Sequence, residues 1–170
     1  MRHLLLALLL AIATPLWAQE TRELTWSEMI PEDAPPQPLQ QAPLHDLSQL
    51  ADALASETGP AAAQQSPDAP VVRALHGQRI RLPGYIVPLD VTEEGRITEF
   101  LFVPFFGACI HVPPPPSNQI VHVTSELGVL MDALYQPFWI EGRLRVESIS
   151  SEMGTAGYRM QAEKIYPYEL

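Results

Sequence analysis

A single cysteine, Cys109, in 170 residues excludes an internal disulfide, so this is no disulfide-stapled scaffold. Basic residues are scarce too: ten Lys and Arg stand against twenty Asp and Glu, a formal net charge of −10. That balance repels phosphate backbones and disfavours nucleic acid as a partner. There is no GxGxxG, P-loop, CxxC or CxxCH motif, which removes nucleotide-binding, disulfide-exchange and haem readings. Beyond the N-terminus no apolar run is long enough to span a membrane, and no internal repeat is visible.

What the sequence does have begins with MRHLLLALLLAIATPLWAQE. Arg2, an apolar run over residues 4–13 and the small Ala18 before Gln19 predict a secretory signal peptide over residues 1–18. No cysteine stands at the cleavage point to carry a lipid. The mature chain is expected in the bacterial periplasm, without membrane insertion once the leader is cleaved. Losing Arg2 takes its net charge to −11. In an exported chain a lone Cys109 is buried and inert, paired with another chain, or chemically employed.

Residues 19–70 read as an N-terminal anchoring segment followed by a mostly disordered linker. Eight prolines fall between Pro31 and Pro70 among Gln, Ala, Ser and Asp, a composition too poor in apolar surface to offset chain entropy. Two islands interrupt it. Leu24, Trp26, Met29 and Ile30 in ELTWSEMIP form the anchor, and Leu44, Leu47, Leu50 and Leu54 recur at helical spacing. The second island predicts a short helix over 45–57.

The folded domain is expected over 71–170 as an all-β, five-stranded barrel of the oligonucleotide/oligosaccharide-binding (OB) type. RIRLPGYIVPLD gives a first strand bent at Gly84 and Pro88, and TEEG a turn before RITEFLFVPF, the second. NQIVHVTSE, PFWIEGRLRVESIS and GYRMQAEKIYPYE give three more, with Gly142 as a bulge or corner. A short helix is expected over 127–134, between the third and fourth strands. Phe102, Phe105, Phe106, Phe138 and Trp139 are expected in the core.

The chemistry concentrates in GACIHVPPPPSNQ, residues 107–119. On an extended backbone residues i and i+2 share a face, so Cys109 and His111 can converge. Thiolate sulfur with imidazole nitrogen suits zinc, or copper in its reduced state. Prolines with fixed φ hold the following segment stiff and lower the cost of ordering the pair. His122, on the next strand, is a weaker third donor, since a solvent-facing role competes; His76 in LHGQ reads as a turn residue.

LPGYIVPLD, EFLFVPFFGACIHVPPPPSNQIVHV and FWIEGRLRV resemble the bacterial periplasmic family catalogued as domain of unknown function 3299, over roughly residues 75–168. The upstream LTWSEMIP resembles that family's N-terminal signature, and the long Pro/Gln/Ala linker is where this chain departs from it. The resemblance implies a small OB-type barrel. It also implies a periplasmic accessory of metal homeostasis, similar to proteins encoded beside MacB-like ABC transport systems in zinc-responsive gene clusters. Cys109 and His111 are the positions matching the motif.

The resulting expectation is a periplasmic zinc-binding accessory protein with Cys109, His111 and His122 as ligands, partnered by a periplasmic or inner-membrane transporter component. Two alternatives stay open. One is a metal-free adaptor of the transporter. The other, less favoured, is a thiol enzyme in which His111 activates Cys109 and Asn118 or Gln119 orients the imidazole.

Overall fold

The computed structural model describes residues 20–35, 63–64, 66–109 and 113–169. The signal peptide expected over 1–18 and the helix expected over 45–57 lie outside the described residues. Among the described residues no helix is long and apolar enough to cross a membrane.

Six strands form one sheet: β1 (Arg22–Glu23), β2 (Arg79–Val91), β3 (Arg96–Val103), β4 (Val121–Leu130), β5 (Phe138–Ser151) and β6 (Gly154–Pro167). The order β2-β3-β4-β6-β5, with β5 returning to β2, closes a five-stranded barrel. All its ladders are antiparallel except β4 with β6. This is the expected all-β, OB-like barrel, with β1 as one strand more.

Closure depends on β2 changing partners. Its residues Arg79 to Gly84 pair with β5, whereas Tyr85 to Val91 pair with β3. Gly84 stands at the change. A Cβ there would lie 2.6 Å from the Val103 carbonyl oxygen and 2.8 Å from the Phe102 ring, so only glycine lets the strands turn this closely. On the β2 edge away from β5, β1 pairs in parallel, Arg22 with Ile80 and Glu23 with Arg81. Gly142 sits at the expected bulge, where the β5–β6 register shifts.

Registers across four strands arrange the side chains in rows. Phe102, Val121, Tyr158 and Val146 face one another along one row, and Phe100, Val123, Met160 and Leu144 along another. These rows point into the barrel and belong to, or pack on, its core. Between them lie outward rows: Leu101, His122, Arg159 and Arg145, then Glu99, Thr124, Gln161 and Arg143.

A second apolar cluster lies outside the barrel wall. Val87, Leu101, Val103, Ile120 and Ala156 are covered there by Ala108, with Phe105 and Cys109 packed against them. The β3–β4 connection thus folds back over the sheet.

The sequence also suggests a helix over 127–134, but β4 continues to Leu130 and only a single 3-10 turn, Met131–Ala133, follows. Phe106 is not core: it is 61% exposed, edge-on to Tyr85.

The core draws on residues upstream of 71 as well. Leu24 and Met29 are fully buried in it. Trp26 donates from Nε1 to the Pro83 carbonyl at 2.6 Å and tilts against Phe102.

Candidate metal centre

Of the three expected ligands, Cys109 and His122 are described and His111 lies outside the described residues. Cys109 is half-buried beside the second apolar cluster and forms no disulfide. Burial pushes its thiol up to about 11. Its φ is +66°, and it is the one non-glycine residue among those described with positive φ. That left-handed conformation disfavours any side chain bearing a Cβ, and cysteine has no local hydrogen bond to compensate as Asn or Asp would.

His122 is the more informative residue. The solvent-facing role that competes at this position is not what the fold provides. It faces outward, yet it is only 5% exposed, and it sits across the ladder from Leu101, itself sealed into the second cluster. Its Nε2 lies 2.8 Å from Glu99 Oε1. A carboxylate accepts, so this contact places a proton on Nε2, and in the neutral imidazole the lone pair is on Nδ1. Nδ1 is buried with no hydrogen-bond partner among the described residues. Arg159, the neighbour on β6, is turned to Glu147 at 3.2 Å.

Glu99 is the carboxylate that holds His122, although it stands ten residues before Cys109 in the sequence. The signal is its position two residues before Leu101, on the same outward face of β3. Among the described residues no three of His, Cys, Asp and Glu converge closely enough to hold a metal ion.

The polar end of the motif does something different. Ser117 Oγ accepts from the Ala69 backbone N–H at 3.0 Å. Asn118 Nδ2 donates to the Pro70 carbonyl at 2.8 Å, and Gln119 Nε2 to the Trp26 carbonyl at 2.9 Å. Gln64 donates to the Pro115 carbonyl at 2.8 Å. The SNQ side chains and the prolines therefore clasp the upstream chain to the barrel. Asn118 Nδ2 and Gln119 Nε2 are both engaged in that clasp. His76 accepts from the Val146 N–H through Nδ1 at 3.2 Å, a turn residue as expected.

A family model described as "Protein of unknown function (DUF3299)" matches residues 26–167, and the chain belongs to that family. A crystal structure of a DUF3299 family protein from Pseudomonas aeruginosa PAO1 is 62% identical, with a TM-score of 0.76 and coverage of 89% of this chain and 98% of that one. No curated protein matches the sequence.

Proposed function

We propose that this member of the DUF3299 family is a periplasmic metal-binding accessory protein, with zinc as its ion, serving a transporter component of a metal-homeostasis or ABC transport system. One observation supports the reading above the others: the buried His122 imidazole, held through Nε2 by Glu99 at 2.8 Å, with Nδ1 unpartnered among the described residues. A histidine that ligates through one nitrogen commonly gives its other N–H to a carboxylate, which fixes the tautomer and raises the basicity of the ligand. A buried lone pair without a partner costs on the order of 1–3 kcal/mol, and a bound cation removes that cost.

Cys109 supplies the soft donor and His111 the second imidazole of the proposed set. Zinc, when bound, supplies the positive charge that holds Cys109 as a thiolate in a place where burial otherwise keeps it protonated. Three protein ligands leave a fourth position for water or a partner's side chain, which suits exchange better than permanent structural closure.

The thiol-enzyme reading is weaker. A thiol at about 11 is only about one part in ten thousand thiolate at pH 7, and Nδ1 of His122 makes no hydrogen bond to it. Glu99 is engaged with His122.

Isothermal titration of the mature protein with zinc tests the proposal. Cys109→Ser, His111→Ala and His122→Ala are each expected to weaken zinc binding at least tenfold, and Glu99→Gln to weaken it less. Affinity should drop as pH falls, because thiolate and imidazole must both be deprotonated to ligate. Equal zinc uptake by wild type and all three ligand variants would leave the metal-free adaptor as the surviving reading.

A further inference from the structure

The β4 and β6 strands run together only briefly. They pair in parallel from Val121 with Tyr158 to Thr124 with Gln161. Beyond that point β4 makes an excursion: Glu99 faces Thr124 and Ile97 faces Val129, so residues 125–128 lie opposite Thr98 alone. β6 continues beside β5, with Ala162 against Gly142 and Tyr166 against Trp139. Over residues 162–166 its other edge has no strand partner among the described residues. Such an edge presents backbone N–H and C=O groups to any extended chain that reaches it. At about 3.3 Å per residue, those five positions accept roughly 16 Å of strand. The fork opens a cleft of about 1410 Å³. That exceeds the roughly 300–1,000 Å³ of small-molecule pockets and suits a segment of chain.

Charge indicates what kind of segment. Arg96, Arg143, Arg145, Arg159 and Lys164 line the cleft, five of the ten basic residues of a chain that has twenty acidic ones. Two acids also line it, and one of them, Glu163, is tied to Arg79. The ladder sets Arg145 directly across from Arg159. Like charges in that relation repel, and an anion between them relieves the repulsion. Arg159 is answered by Glu147, but the Arg145 side chain has no ion pair or hydrogen bond among the described residues. Leu127, 80% exposed on the excursion, offers an apolar contact at the rim.

We propose that this cleft binds an extended, carboxylate-rich segment of a partner protein, which adds to β6 as a further strand. Main-chain hydrogen bonds to residues 162–166 would give the affinity, and Arg145 with Arg159 the preference for acidic side chains. The inference does not rest on the metal reading, and the test uses the full mature chain in the presence of a chelator.

The probe is a fluorescein-labelled peptide of alternating Glu and Val, followed by anisotropy. Its controls are the Lys–Val counterpart, the Glu–Val peptide N-methylated at alternate backbone nitrogens, inorganic tripolyphosphate, and phosphatidylserine vesicles. The Glu–Val peptide should bind, weaken as salt rises, and slow hydrogen exchange at residues 162–166. Arg145→Glu should weaken binding at least tenfold without lowering thermal stability; should that variant fail to fold, Arg145→Ala, expected to weaken binding severalfold, is read in its place. Failure of the Glu–Val peptide to bind overturns the proposal. So does equal binding of the Lys–Val or N-methylated peptide, or tighter binding of tripolyphosphate or vesicles.

Discussion

At the scale of single residues, Cys109 owes its state to packing beside Phe105 and Ala108 on the apolar cluster outside the barrel wall. Burial lifts the thiol of Cys109 to about 11 from an ordinary value of 9.0. Alkylation by iodoacetamide should therefore be slow at pH 7–8 and rise about tenfold per pH unit until the thiol titrates. Zinc should suppress it further under the proposed reading. A rate matching that of the unfolded chain at pH 8 would refute the burial. The same shift has a stability consequence. Below about pH 9 the thiol is protonated in both states and contributes nothing. As pH rises from there toward 11, the unfolded chain loses its proton first, so stability falls across that window. Cys109→Ser should reduce that alkaline slope in a denaturant titration, the remainder coming from Tyr158 and Tyr166, whose hydroxyls burial also pushes up.

At the scale of elements, the corners and the clasp are what a substitution exposes most clearly. Gly84→Ala puts a methyl group within 2.6 Å of the Val103 carbonyl oxygen, and backbone cannot move aside as a flexible side chain can. The expected loss is about 1–3 kcal/mol, read by urea unfolding. Asn118→Ala removes the donor to the Pro70 carbonyl at a fully buried position, with a similar loss of about 1–3 kcal/mol. Limited proteolysis should then cut sooner upstream of Val71. The strands themselves are legible in the sequence, because alternation in FWIEGRLRV marks a half-buried strand and the β-branched and aromatic run of RITEFLFV a buried one. Their partners are not: where β2 leaves β5 for β3 depends on what approaches Gly84 from Val103, which no local pattern records. Nor is the second cluster legible. Phe100, Leu101, Phe102 and Val103 are all fully buried, and an apolar run of that kind states that both faces are covered without saying by what. His122 reads as a surface residue for that reason. The helix expected over 127–134 fails because LGVLMDAL has helical spacing while its first residues are held in β4 by pairing of Val129 with Ile97 and Leu130 with Arg96.

At the scale of the whole molecule, the N-terminal segment is bound to the barrel by contacts that differ widely in worth. The Arg81–Glu23 ion pair and the Arg22–Gln78 hydrogen bond are exposed, and such contacts contribute little. Leu24 and Met29 are fully buried, at about 1.5–3 kcal/mol apiece, so their burial contributes most of the attachment. Tyr158 ties both sides together: its buried hydroxyl accepts from the Val72 N–H at 2.8 Å and donates to the Met29 carbonyl at 2.8 Å. Against a typical total stability of about 5–15 kcal/mol, losing the segment removes a substantial share. A chain beginning at Val71 should therefore unfold at markedly lower urea than one beginning at Glu20, and bind hydrophobic dyes where Leu24 and Met29 had been. A synthetic peptide of residues 20–35 added in trans should shift unfolding back upward in proportion to its concentration, since it binds the folded state alone. Tyr158→Phe in the full chain should weaken the attachment by about 1–3 kcal/mol without altering the barrel, because one hydroxyl serves both partners. An unfolding curve for the shortened chain that overlays that of the longer one, indifferent to the peptide, would mean the barrel is complete without its N-terminal segment.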